Sequence, residues 1–180
     1  LSHEKTSRFG AQIALVTLNH PDFNGVENLA YGDKKPFIVS GAGEYEIKGV
    51  FVQGFGIETR YGGEKKINTL YYVTLDGIKI CFLGALDTPK LSNEMEEKID
   101  NVDILFVPIG GNGVLSSAAA YKFSLALEPK IIIPMHYSKS ALESFIQEEG
   151  EEKITLEQKL TIKRKDLESK HGNIVVLKSI

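Results

Sequence analysis

Two histidines and one aspartate are the side chains of this 180-residue chain best suited to chemistry. His20 and Asp22 stand two apart in the turn-rich stretch Leu18-Asn-His-Pro-Asp-Phe23, and His136 stands in Pro134-Met-His-Tyr137. Imidazole nitrogens and carboxylate oxygens are donors that hold zinc, and three of them leave a fourth position for a water that the metal acidifies. The same residues serve without a metal: His20 and His136 can act as acid and base while Arg60, in Ile57-Glu-Thr-Arg-Tyr61, pairs with a phosphate or carboxylate. A third reading is structural, with Asp22 accepting backbone N–H groups and His20 satisfying a neighbour in a hydrogen-bonded loop. His3 and His171 read as exposed bystanders.

Other chemistries are poorly supplied. Cys81 is the only cysteine and lies in the apolar run Ile78-Lys-Ile-Cys-Phe-Leu83, which predicts a buried, inert thiol. One cysteine excludes a disulfide framework and a Cys-rich zinc site, and it fits a reducing cytoplasm. No Gly-x-Ser-x-Gly elbow is present, so a Ser-His-Asp hydrolase is not supported. Gly41-Ala-Gly43 leads into a strand rather than a helix, the wrong context for a dinucleotide fold. Gly110, Gly111 and Gly113 could approach a ligand, but a backbone turn explains them as well. With a net charge of -3 and no basic stripe, nucleic acid is not an expected partner; Lys65-Lys66, Lys163-Arg-Lys165 and the charged stretch Glu148 to Lys153 read as solvated surface. No apolar run is long enough to span a membrane, and no signal peptide opens the chain.

The mixture of 42% hydrophobic and 25% charged residues is that of a folded globule, and the length fits a single domain over residues 1–180. Ala11–Thr17 and Lys35–Ser40 read as strands, with the His20 loop between them, and Tyr45–Gly56 as a strand pair or one strand bent at Gly49. Thr69–Leu75 and Ile78–Leu83 flank Asp76-Gly77, a strong hairpin signal. Helix and strand then alternate. Leu91–Ile99 has helical spacing, and Val102–Pro108 and Lys130–Pro134 are buried strands. A helix capped at Ser116 or Ser117 runs to Leu127, where Pro129 stops it, and a second runs from Ser140 to Glu149 with Leu142, Phe145 and Ile146 on one face. Leu160–Lys163 and Asn173–Lys178 read as final strands.

In this order the segments from Phe9 to Tyr137 resemble the metallo-β-lactamase superfamily, in particular its compact bacterial branch that includes the ascorbate-phosphate lactonase relatives. Leu18-Asn-His-Pro-Asp-Phe23 stands where that family has His-x-His-x-Asp-His. The later matches are Gly41-Ala-Gly-Glu-Tyr-Glu-Ile47, Ile67-Asn-Thr-Leu-Tyr71, Ile78 to Ala85, Val102 to Pro108 with Gly110-Gly111, and Pro129 to Tyr137. The resemblance implies an α/β (α+β) fold, an αββα sandwich of two mixed β-sheets flanked by helices. It also implies one or two strands before Phe9 that this chain does not show.

The resemblance further implies a two-metal site, of whose seven usual ligands three are present here. By family analogy His20 serves the first metal, and Asp22 and His136 serve the second. Leu18 and Phe23 stand where the loop's first and last histidines belong, no histidine falls in 56–61, and Ala85 replaces the bridging aspartate with Asp87 two residues on. The expectation is a degenerate metal site in a protein of binding or structural role that is not a two-zinc hydrolase. The alternative is a mononuclear hydrolase of a small phosphoester or lactone, with one divalent metal, zinc foremost, on His20, Asp22 and His136, and His20 and Asp22 in catalysis. Asn19, Phe23, Arg60, Ala85 and Tyr137 are expected to line the pocket. The expected partner is a small molecule, and a homo-oligomer stays open.

Overall fold

The computed structural model describes residues 10–30, 32–150 and 155–178. His3, Phe9 and the far end of the charged stretch running to Lys153 lie outside them. Strand β1 (Ile13–Leu15) leads into the His20 loop and a 3-10 turn (Val26–Leu29), and β2 (Phe37–Val39) returns beside it. β3 (Gly43–Ile47) and β4 (Val50–Thr59) form a hairpin about Lys48-Gly49, both at positive φ, so the strand-pair reading of 45–56 holds. β5 (Lys66–Leu75) and β6 (Ile78–Phe82) close around Asp76 (φ 50°) and Gly77 (φ 73°). Two consecutive left-handed residues are what a two-residue hairpin on a right-twisted ribbon requires.

From here each parallel step of the central sheet carries a helix, because parallel neighbours need a crossover. α1 (Asn93–Lys98) leads to β7 (Ile104–Pro108), α2 (Ser117–Ala126) to β8 (Ile131–Met135), and α3 (Lys139–Glu149) follows β8. Each helix starts on a serine whose side chain accepts a backbone N–H of the first turn: Ser92, Ser116 and Ser138. Gly150 ends α3 in the left-handed conformation that favours glycine. Short strands β9 (Leu156–Glu157), β10 (Asn173–Ile174) and β11 (Val176–Leu177) complete the chain.

The central sheet has the order β10-β8-β7-β6-β5-β4-β3, antiparallel from β3 to β6 and parallel from β6 to β10. Met95, Ala120, Leu142, Phe145 and Ile146 of the three helices pack on one face against Leu70, Tyr72, Cys81, Leu105 and Ile132. The opposite face meets a second layer in two pieces. The parallel pair β1-β2 covers Val52, Tyr71 and Val73, and the C-terminal segment with the parallel pair β9-β11 covers Ile104, Ile131 and Ile133.

Among the described residues the second layer forms two separate parallel pairs beside the large mixed sheet, and two strand expectations need correction. Leu160–Lys163 is not a strand: Leu160 and Ile162 pack against the sheet, but their backbone finds no ladder partner and runs into a 3-10 turn at Arg164–Leu167. Alternating apolar residues record a buried face, and pairing needs a neighbour that sequence alone does not supply. Similarly, Asn173–Lys178 divides, Asn173–Ile174 joining β8 and Val176–Leu177 joining β9. No helix among the described residues is long and apolar enough to cross a membrane.

Candidate functional site

The ends of β1, β4, β6 and β8 deliver the site. After β1, the Val16 N–H reaches Val39 O (2.8 Å) and the Thr69 N–H reaches Thr17 O (2.6 Å), tying the chain to both layers before it turns. The turn then closes on itself: His20 carbonyl oxygen accepts from the Phe23 and Asn24 N–H groups at 2.8 and 3.0 Å. Leu18 is thereby drawn inside (1% exposed), while Asn19 and Asp22 stay at the surface.

β4 brings Thr59, Arg60 and Tyr61 to the same edge, with Thr59 and Tyr61 buried and Arg60 exposed. That is the two-residue alternation of a strand carried one step past its end. The Arg60 N–H donates to Asp87 Oδ2 (2.8 Å), so the carboxylate two residues beyond Ala85 holds backbone. After β6 the fully buried Asn68 clamps the turn, its amide donating to Leu83 O (2.9 Å) and its oxygen accepting from the Ala85 N–H (2.8 Å). Thr59 Oγ1 donates to Ala85 O at 2.7 Å. His136, just after β8, sits at φ 50°. Its carbonyl oxygen lies so close to Gly110 that a Cβ there would overlap it, which is why this loop needs glycine.

These loops converge on Tyr61. Its hydroxyl donates to Asp22 Oδ2 at 2.6 Å and lies 2.7 Å from His136 Nε2. A phenol has one proton. With that proton on the Asp22 bond, His136 must donate its Nε2–H to Tyr61 Oη. Burial, then the Asp22 hydrogen bond and charge, push the Tyr61 hydroxyl up from 10.0 to about 12, so it stays protonated at neutral pH. The ring is gripped edge-on by His20, Phe23 and His136, at centroid separations of 4.9, 5.1 and 5.4 Å, and Phe23 stacks on His136 at 5.5 Å and 7°. Beneath it Leu18, Ala85 and Val114 form a buried apolar cluster with Tyr61, and Phe23 packs against it.

His20 Nδ1 accepts the Asp22 N–H at 3.2 Å, which leaves its proton on Nε2. Its 3.5 Å approach to Asp22 Oδ2 is therefore a contact between two acceptors, an ion pair only when His20 is protonated.

His20, Asp22, Phe23, Ala85 and His136 thus lie together around Tyr61. Asn19 faces elsewhere, into a cavity of about 480 Å³ lined also by Val16, Ile38 and Ile67. Arg60 lines a cleft of about 270 Å³ with Glu58, Lys65, Asp87 and Thr88, in which neither histidine takes part. The arrangement of Arg60 as anion clamp beside two histidines is therefore not formed. Tyr137 lines a cavity of about 370 Å³ with Gly110, Gly111, Asn112, His136 and Ser138. Tyr61 is the residue that sequence reasoning passed over, although it ends the segment inspected for a missing histidine.

The donor set does not fit the metal that the expectations call for. Zinc needs its nitrogen and oxygen ligands at about 2.0–2.2 Å. The donor atoms of Asp22 and His136 instead converge on a phenol oxygen, and apolar side chains fill the positions around it. Among the described residues no three His, Cys, Asp or Glu side chains are grouped to hold a metal ion. What the arrangement does offer is a fixed hydrogen-bond chain, His136 Nε2–H to Tyr61 Oη–H to Asp22, with His136 at a cavity wall.

The family profile described as beta-lactamase superfamily domain matches residues 2–136. A UPF0173 metal-dependent hydrolase of Thermococcus onnurineus is 32% identical over 68 residues, 38% of this chain and 30% of that protein. Another, of Carboxydothermus hydrogenoformans, is 51% identical over 41 residues, 23% of this chain and 18% of that protein. The matches thus span less than a third of the length of these curated relatives. Among solved structures, a Thermotoga maritima protein assigned as a Zn-dependent hydrolase of the metallo-β-lactamase superfamily superposes with a TM-score of 0.66 at 24% identity, covering 94% of this chain and 83% of that one. A Parabacteroides distasonis protein assigned as a metal-dependent hydrolase gives 0.60 at 18%, covering 82% and 76%. At these identities the superpositions establish the fold.

Proposed function

Because this chain belongs to the beta-lactamase superfamily and has the metallo-β-lactamase fold, we propose that it is a metal-independent member, a binding or structural module rather than a two-metal hydrolase. The observation that carries this reading is Tyr61 Oη, hydrogen-bonded at once to Asp22 and His136 where those two side chains converge. Support comes from Leu18 and Ala85, whose buried apolar side chains pack against Tyr61 and offer no donor atom. The ligand of such a module is a small molecule in the cavity bounded by Gly110, Gly111, Asn112, His136, Tyr137 and Ser138. There His136 Nδ1, freed as an acceptor by the proton on Nε2, and the exposed polar groups of Asn112 and Ser138 supply the recognition.

A second reading has one specific support, the description of the curated relatives as metal-dependent hydrolases. In it one divalent ion on His20, Asp22 and His136 acts on a small phosphoester or lactone, and Tyr61 must first leave its place. Elemental analysis of protein purified without chelator, paired with hydrolysis of a chromogenic phosphodiester and a lactone, separates the two. The proposal expects no stoichiometric transition metal and no hydrolysis above buffer. A stoichiometric metal with turnover lost in His136→Ala would establish the second reading instead.

A further inference from the structure

We infer that the Tyr61 hydroxyl does the work of a cation, cross-linking the loops after β1, β4 and β8, and that removing the side chain uncovers a divalent-metal site on Asp22 and His136, with His20 beside them. The inference rests on the metal-independent reading above and deepens it. A carboxylate and an imidazole, 114 residues apart in sequence (136 − 22), point their donor atoms at a single oxygen, at 2.6 and 2.7 Å. Two such donors converging from different loops form part of a zinc coordination set, and a closure of only about half an ångström per side chain would bring each to a zinc–ligand distance of about 2.0–2.2 Å.

The phenol is a sufficient substitute because its polarity runs both ways. It gives a proton to the carboxylate and accepts one from the imidazole, so both polar groups are satisfied without a charge between them. Its ring, 7% exposed, is held by three ring neighbours and by Leu18, Ala85 and Val114, so the oxygen has one position. His20 lies beside the pair, its ring 4.9 Å from that of Tyr61 and its Nδ1 3.5 Å from Asp22 Oδ2, and it supplies a third donor if Nδ1 exchanges the Asp22 N–H for the metal. Three protein ligands and a water are enough for zinc.

The test is a zinc chloride titration of the full chain, followed by thermal unfolding and by competition with a chromophoric chelator. The proteins compared are the wild type, Tyr61→Ala, and Tyr61→Ala combined with His136→Ala. The wild-type midpoint should not respond to zinc. The Tyr61→Ala midpoint should rise by about 5–10 °C at zinc about a hundred times its dissociation constant, and the double variant should lose the response. A folded Tyr61→Ala protein that ignores zinc while the wild type also ignores it overturns this inference and leaves the functional reading standing. A wild type that binds zinc as tightly as the variant overturns both.

Should Tyr61→Ala fail to fold with or without zinc, long-range 15N-edited spectra of the wild type and Tyr61→Phe decide. His136 held in the Nε2–H tautomer in the wild type, with that preference lost in Tyr61→Phe, upholds the inference. An Nδ1–H tautomer in the wild type overturns it.

Discussion

Replacing Tyr61 by phenylalanine removes one oxygen atom and keeps the ring, so it isolates the hydrogen-bond chain from the packing around it. Two bonds are lost, one to the Asp22 carboxylate and one from the His136 Nε2–H. A hydrogen bond to a charged group contributes about 1.5–3 kcal/mol when desolvated and a neutral one about 0.5–1.5 kcal/mol. Asp22 is 53% exposed on its side chain and His136 is also exposed, so water replaces part of what is lost. The net cost should be about 1–2 kcal/mol, seen as a fall in Tm of about 3–8 °C for a chain of this size. Urea unfolding at neutral pH gives the value, and a double-mutant cycle with Asp22→Asn should assign about 1 kcal/mol to the pair. Tyr61→Ala, which also deletes the buried ring, should cost about 3–5 kcal/mol. If Tyr61→Phe unfolds with the wild type and the cycle shows no coupling, Tyr61 is only a packing residue and the hydrogen-bond chain contributes no stability.

Gly110→Ala should cost about 2 kcal/mol or more and displace His136, because the clash is with a backbone carbonyl; tryptic susceptibility and the His136 imidazole resonances would report it. Ala85→Asp places a carboxylate at a site with no exposure, against Leu18 and Val114, and chemical unfolding should show a loss of several kcal/mol. Burial pushes the Cys81 thiol from 9.0 up to about 12, so it should react with a thiol reagent at pH 8 only as the protein unfolds. Since that folded-state value is raised, its stabilising contribution is complete below pH 9 and lost as pH climbs toward 12; Cys81→Val should flatten this alkaline limb of the stability curve. Asp100 is held below its ordinary 3.8, first by the Lys79 hydrogen bond and then by that from Asn101, so its contribution is present above that pH and lost as pH falls further. Lys79→Met should shrink this acid limb.

Features encoded by neighbours in sequence were legible. The Asp76-Gly77 hairpin follows from local turn chemistry, the α2 cap from a serine ahead of an alanine-rich, helix-favouring run, and the Cys81 environment from the apolar residues around it. For α3 the cap is Ser138, two residues before Ser140, because either serine can cap and helix ends are the least sharply encoded part of the element. The split of the second layer and the fate of Leu160–Lys163 were not legible, because both depend on which distant strand is free to pair. At the site, sequence located His20, Asp22, Phe23, Ala85 and His136 but chose Arg60 over Tyr61. Strand parity held the correction: Thr59 and Tyr61 share the inward side, and Arg60 between them points out. What parity does not reveal is where an inward tyrosine ends, since its partners lie 39 and 75 residues away.

A single atom, Tyr61 Oη, stands between Asp22 and His136. A crystal of the wild-type chain grown with excess zinc chloride and measured across the zinc absorption edge looks at that atom directly. Tyr61 Oη should occupy the position, within hydrogen-bond distance of both side chains and without anomalous signal. An anomalous peak about 2.0–2.2 Å from Asp22 and His136, with Tyr61 turned away, would contradict this placement.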